Sequence, residues 1–316
     1  MSRSSFLVFA LALPLVAQVK ITQGTDRISV EIGGKPFTDF FVSADVNKPY
    51  LHPLRSATGK VITRHFPMEL VEGETRDHPH HRGLWFTHGD VNGLDFWANE
   101  TRGGNKGRVV LKKVVDLKSG KKEGLIATTF DWLDPNGKPL LTESRRMVFF
   151  GDDSIRMIDF DIALTAVEKV KFGDTKEGTF AIRLTPPLEE PGKRDPAKYT
   201  GKMITAEGRE TEANVWGTRS PWVDYSGEVG GEPLGITIMD HPSNPRHPTY
   251  WHSRGYGLFA ANMFGVRDFE RDKTKDGSLT LEPNQRLRVR YRVLIHPGRT
   301  AAAEIPALFT KYAKTK

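Results

Sequence analysis

A chain of 316 residues is long enough for one large domain or two ordinary ones with a substantial core, so no disulfide or metal staple is required. It contains no cysteine, which excludes disulfides, thiolate metal sites and a cysteine nucleophile, and leaves histidine and carboxylate as the ligands of any metal. The formal charge of +7 is scattered and interleaved with acids, as in Lys121-Lys122-Glu123, so no basic stripe for nucleic acid is present.

The chain opens with Arg3 ahead of the apolar run Phe6 to Val16, which ends at the small residue Ala17. This is the form of a secretory signal peptide, residues 1–17, and predicts a periplasmic or extracellular protein whose mature chain begins at Gln18. The run is shorter than the roughly 18 apolar residues a membrane helix needs. Val19 to Thr22 and Ile28 to Ile32 then alternate at period two and lead into Gly33-Gly34-Lys35-Pro36, the pattern of two strands and a hairpin turn. Asp45 to Arg55, with two prolines, reads as a loop, and Val61 to Arg64 as the next strand. Beyond a histidine-rich loop come Val109 to Leu117, Leu125 to Leu133, Leu140 to Phe150 and Ser154 to Leu164. Their turns are marked by Ser119-Gly120, Asp134-Pro135-Asn136-Gly137 and Gly151-Asp152-Asp153. Phe180 to Leu184, Leu234 to Met239, Gly257 to Ala261, Leu279 to Leu281 and Arg286 to Ile295 continue the strand pattern, while Pro186 to Lys202 reads as a surface excursion. One helix is predicted, Ala301 to Lys314, with Ile305, Leu308, Phe309 and Tyr312 on one face. A long β array with one terminal helix predicts an all-β fold, a large antiparallel β-sandwich forming a single domain over residues 18–316.

Residues able to do chemistry concentrate in two stretches. Asp77 to Asp90 holds His78, His80, His81 and His88, four of the chain's ten histidines, and runs on to Asp95, Trp97 and Asn99. Pro79 keeps the first part in a loop or at a strand end, because it removes a backbone donor. The second stretch, Asp240 to Gly257, carries His241, His252 and Arg254 and leads to Asn262. Its prolines at 242, 245 and 248 argue against regular structure, and a long polar loop of this kind favours function. The two stretches are expected to converge on one concave surface. Among carboxylates in strands, with Arg145 and Arg183 as possible partners, Glu143 reads as a structural ion pair, and Glu177, at a strand entry, as a candidate acid or base.

Asp77-His78-Pro79-His80-His81-Arg82-Gly83-Leu84-Trp85, Lys176-Glu177-Gly178, Trp216-Gly217 with Trp222-Val223-Asp224-Tyr225, and Arg254-Gly255-Tyr256-Gly257 through Asn262-Met263-Phe264-Gly265 together resemble the bacterial "PmoA family", labelled methane oxygenase. The resemblance covers nearly all the mature chain and implies a secreted protein with a sugar-related role. The methane label is rejected, since that activity belongs to an integral membrane subunit and this sequence has no membrane span.

The expected fold is therefore the β-sandwich, with the galactose-mutarotase-like supersandwich as a candidate topology, and the expected substrate a carbohydrate or other small polar molecule. Acid–base chemistry is assigned to His80, His81, His88, Glu177 and His241. Substrate binding is assigned to His78, Arg82, Trp85, Asp95, Trp97, Asn99, His252, Arg254 and Asn262. No cofactor is expected, and epimerisation, lysis and hydrolysis all fit. Two further classes compete: a carbohydrate-binding module without catalysis, and a metal enzyme using histidine and carboxylate. Against the metal stand Pro79, which restricts how the imidazoles converge, and Arg82, which would repel a cation beside His81.

Overall fold

The computed structural model describes residues 17–316, and the signal peptide expected at residues 1–17 lies, but for Ala17, outside the described residues. Eight strands form a first sheet in the spatial order Val19–Gln23, Arg27–Ile32, Lys35–Phe41, Tyr50–His52, Leu84–His88, Gly178–Arg183, Leu258–Asn262 and Tyr250–Ser253. Eight more form a second sheet in the order Lys202–Thr205, Trp222–Val229, Glu232–Asp240, Arg286–Pro297, Arg156–Ala166, Pro139–Gly151, Gly124–Leu133 and Arg108–Lys118. A two-stranded ribbon pairs Val170–Phe172 with Leu279–Leu281. These strands pair antiparallel throughout, which makes the molecule the all-β antiparallel sandwich that its strand array predicts.

The core lies between the sheets. Leu84 and Phe86, Phe180 and Ile182, and Phe259 and Ala261 turn inward from the central strands of the first sheet. They meet aromatic residues of the second: Phe180 stacks on Tyr291 at 4.5 Å and stands edge-on to Phe160 at 4.8 Å. The alternate residues Trp85, Ala181, Leu258 and Ala260 point to the other face of the first sheet, where a second apolar cluster with Tyr50 and Trp97 covers them. These central strands are therefore buried on both faces, and it is on the outer one that the candidate site is built.

On the outer face of the second sheet, the helix Ile305–Tyr312 buries Ile305 and Tyr312 against Trp222, Met239 and Leu294. It is shorter than the predicted Ala301 to Lys314, since Thr300–Ala302 forms a separate 3₁₀ turn. Three other expectations are corrected. Val61 to Arg64 is no strand but two isolated bridges, Arg55 with Val61 and Thr63 with Leu184. Tyr50–His52 forms a strand inside the expected proline loop, and Tyr250–Ser253 forms one directly after Pro248 in the segment expected to be irregular. Each begins just past a proline, where the lost N–H no longer interrupts the ladder.

Candidate active site

The pocket on the outer face of the first sheet has a volume of about 340 Å³. The loop before Leu84–His88 gives it His78, His80 and His81, and the loop after that strand gives Asp95, Trp97 and Ala98. The turn into Gly178–Arg183 contributes Lys176 and Glu177, and the Tyr250–Ser253 hairpin contributes His252, Arg254 and Tyr256. Four neighbouring strands, with Leu258–Asn262 between the second and the last named, thus bring together residues from three distant parts of the chain.

The histidine loop is held from behind by buried guanidinium groups. Asp77 Oδ1 accepts from Arg64 Nη1 at 2.5 Å and from Arg183 Nη2 at 3.0 Å, and Arg64 Nη2 donates to the His78 carbonyl at 3.0 Å. Burial works against the charge on Asp77, yet the hydrogen bond from His78 and the charges of Arg183 and Arg64 hold its carboxyl well below the usual range. The rings then stack in sequence: His78 lies parallel to Tyr256 at 5.5 Å and to His81 at 4.7 Å, and His81 lies over Trp85 at 5.3 Å. Stacked imidazoles present faces to each other, so their nitrogens do not converge as metal ligands. Among the described residues no group of three or more His, Asp or Glu side chains is arranged to hold a metal ion.

Hydrogen bonding fixes which nitrogen of each key histidine is free. Arg183 Nη1 lies 3.2 Å from His81 Nδ1, and because a guanidinium only donates, Nδ1 accepts and the neutral ring carries its hydrogen on Nε2. Burial, then His80 and Arg183, push the His81 pKa well down and keep the ring neutral. His252 is the reverse case. Its Nδ1 lies 2.9 Å from the Lys176 carbonyl, which only accepts, so Nδ1 donates and the Nε2 lone pair is left free. Burial lowers the His252 pKa to about 4, although Glu177 acts to raise it. His80 is likewise lowered to about 3, by burial and then by Lys48. Of the two carboxylates in the pocket, Asp95 is spent on structure: Oδ1 accepts from the Trp97 and Ala98 amides at 2.8 Å, and Oδ2 from Lys106 at 2.6 Å. Glu177 is less committed, with Oε1 on Lys176 Nζ at 2.5 Å. Arg254 pairs through Nε with Glu212 at 3.0 Å, and its terminal nitrogens have no partner among the described residues.

Two residues expected to be catalytic lie elsewhere, so the convergence predicted for the two stretches holds only in part. His88 points inward from its strand, donates Nε2–H to the Gly173 carbonyl at 2.8 Å and packs on Phe264 at 4.4 Å; it is a core histidine. His241 follows the last residue of Glu232–Asp240 on the second sheet, accepts from Arg290 at Nε2 (3.1 Å) and stands edge-on to Tyr312 at 5.0 Å, on the opposite outer face. Four expected binding residues support the pocket without lining it. Trp85 lies beneath His81, and the Arg82 guanidinium lies over the Tyr50 ring at 5.7 Å. Asn99 donates to the Asn47 and Gly107 carbonyls, and Asn262 to those of Thr175 and Lys176, so both fasten loops. The outlying ion pair is as read from the sequence, with Arg145 Nε donating to Glu143 Oε1 at 2.6 Å.

Sequence reasoning missed Lys48, which is fully buried behind the pocket. Its Nζ donates to the Trp97 carbonyl at 2.8 Å, to Asn99 Oδ1 at 3.0 Å and to Glu100. It also missed Arg64, which is fully buried in a segment with no strand period to show it, beside the equally buried Ile62 and Thr63.

A family model described as "Family of unknown function (DUF6807)" matches residues 27–310. A search of curated proteins found no match. Among solved structures, the galactose 1-epimerase of Lactobacillus acidophilus is similar over 90% of this chain and 100% of its own, at 8% identity and a TM-score of 0.37. An α-galactosidase from Geobacillus stearothermophilus is similar over 89% of this chain and 41% of its own, at 8% identity and a TM-score of 0.39. A heparan sulfate lyase from Pedobacter heparinus is similar over 95% and 38%, at 10% identity and a TM-score of 0.36.

Proposed function

The chain belongs to the DUF6807 family, and because that family's function is unknown we propose one from the pocket: an enzyme that moves a proton on a carbohydrate, with His252 as the acceptor. The observation that carries this reading is the free Nε2 lone pair of His252 in a pocket shared with the Glu177 carboxylate and walled by Trp97 and Tyr256. A base held unprotonated by burial, with a carboxylate in the same pocket, is equipped for proton transfer. Aromatic walls suit the apolar face of a sugar ring, and the volume lies at the small end of the about 300–1,000 Å³ of ligand pockets. His81 contributes an Nε2–H donor, so in this proposal it polarises a substrate oxygen and does not act as a base. A periplasmic or extracellular location, from the signal peptide, belongs to the same proposal.

The test is turnover of a panel of mono- and oligosaccharides, followed by proton NMR for anomer exchange, chain cleavage and unsaturated products. His252→Asn keeps a donor for the Lys176 carbonyl and removes the base; it is expected to lower the rate by roughly 10²–10⁴-fold with sugar binding retained. Wild-type rates in both His252→Asn and Glu177→Gln would overturn the mechanism. Sugar binding without turnover by the wild-type protein would favour a binding module, the second reading that the aromatic wall supports.

A further inference from the structure

We propose that the sugar taken by this pocket bears an anionic group, a uronate carboxylate or a sulfate ester. The inference rests on the carbohydrate reading above and adds to it the charge class of the substrate. It starts from a census of the charges packed behind the histidine wall. Arg64 and Arg183 are both fully buried and share the single carboxylate of Asp77. Glu74 acts on Arg64 and Glu189 on Arg183 only through space, since their hydrogen bonds go to His65 and to Arg194. A second group repeats the imbalance: Lys48 and Arg82 share Glu100, while neighbouring Asp95 is held by Lys106. On the far side of the pocket Lys176 pairs with Glu177 and Arg254 with Glu212, while Glu190 beyond them accepts from the Glu212 amide and has no cation partner among the described residues, so no positive surplus lies there. The surplus positive charge therefore belongs to the floor and the histidine wall. A buried charge without a counter-charge is costly, and a bound anion would offset that cost.

The surplus has a route into the pocket. Arg183 donates to His81 Nδ1, which polarises the ring and makes its Nε2–H a stronger donor. The same guanidinium lies 4.7 Å over the Tyr256 ring. Trp97, in the same wall, has a buried indole N–H with no partner among the described residues, and the Arg254 side chain, ion-paired with Glu212 through Nε, makes no hydrogen bond among them. These groups donate, and a carboxylate or sulfate oxygen is the strongest acceptor a sugar can offer them.

The full chain is titrated calorimetrically at neutral pH with D-glucuronate, D-glucose 6-sulfate and D-glucose, and with acetate and inorganic sulfate as ringless controls. At least one charged sugar is expected to bind about tenfold or more tightly than glucose, with the advantage shrinking as salt is raised. His81→Phe keeps a flat ring over Trp85 and removes the donor, and is expected to cut that advantage. Glucose binding as tightly as both charged sugars would overturn the inference and leave the carbohydrate reading standing. Acetate or sulfate matching the charged sugars would sink the carbohydrate reading and leave the charge preference. Binding by none of the five would remove both.

Discussion

His81 and His252 line the same pocket with opposite hydrogen-bonding polarity, and the partner behind each ring decides which. A guanidinium behind His81 turns its outer nitrogen into a donor, while a carbonyl behind His252 turns its outer nitrogen into an acceptor. The pH dependence of kcat/KM should carry this signature. Because burial depresses the His252 pKa to about 4, the base is free above that value and is lost as pH falls through it. The expected profile rises through about pH 4 and shows no limb from His252 near its ordinary value of 6.5; a limb at 6.5 that vanishes in His252→Asn would contradict the assignment. Lys48 makes a second residue-scale prediction. Lys48→Met leaves Glu100 to Arg82 alone and strips the buried Trp97 carbonyl and Asn99 Oδ1 of their donor, which should cost about 1–3 kcal/mol. Urea denaturation measures it, and Arg82, 3.6 Å from Glu100, sets how far the loss is softened.

At the scale of elements, the junction between the histidine loop and its strand depends on Gly83. Its φ is +53°, and a Cβ there would lie 2.1 Å from the Leu51 carbonyl oxygen, in the neighbouring strand. Gly137 also has positive φ, at +84°, but a Cβ would meet nothing within 4 Å. Gly137→Ala should therefore show only the conformational cost, about 1–2 kcal/mol, whereas Gly83→Ala should lose clearly more and weaken sugar binding with it. Equal losses in thermal melts would show that the close approach to Leu51 is not limiting. Legibility in the sequence followed the same physics of burial. Arg27–Ile32 alternates strictly between half-buried Arg27, Ser29 and Glu31 and buried Ile28, Val30 and Ile32, so its period of two is visible in the residues themselves. Leu84–His88 is buried on both faces and shows no alternation, and Tyr50–His52 is too short to show a period. In the site, His78, His80, His81, Asp95, Trp97, Glu177, His252 and Arg254 could be found because loops dense in polar and aromatic groups announce themselves. Lys48 could not, because its burial is created by the distant Trp97 and Asn99 loop. His241 misled because it opens a polar stretch broken by prolines, the same kind of signal, while its strand belongs to the other sheet.

Across the whole molecule, buried neutral histidines tie stability to acidity. Burial holds His52 and His80 at about 3 and His88 and His252 at about 4, against 6.5 for each when exposed. Below pH 6.5 the unfolded chain takes up protons that the folded chain refuses, so stability is complete above 6.5 and falls as pH drops toward 4. The slope is roughly 1.4 kcal/mol per pH unit for each such histidine once pH is well below 6.5. His65, hydrogen-bonded to Glu74, and His296, raised by Asp224 against its burial, are shifted upward instead. Their contribution is complete below 6.5 and is lost only as pH rises through the raised values. Melting temperatures taken from pH 7 to pH 4 should fall steadily; a flat profile would mean that these rings are not buried neutral.

The pocket also dates its own assembly. Its walls meet only when Leu84–His88 has paired with Gly178–Arg183, and that strand with Leu258–Asn262, ladders joining segments far apart in the chain. Such non-local pairings must close long loops before any contact rewards them, and they form slowly. Local hairpins such as Arg27–Ile32 with Lys35–Phe41 need no such closure. During refolding from urea, ligand capture should therefore lag behind the first gain of β-structure, and the last kinetic phase to finish should be the one in which the protein becomes able to hold its substrate.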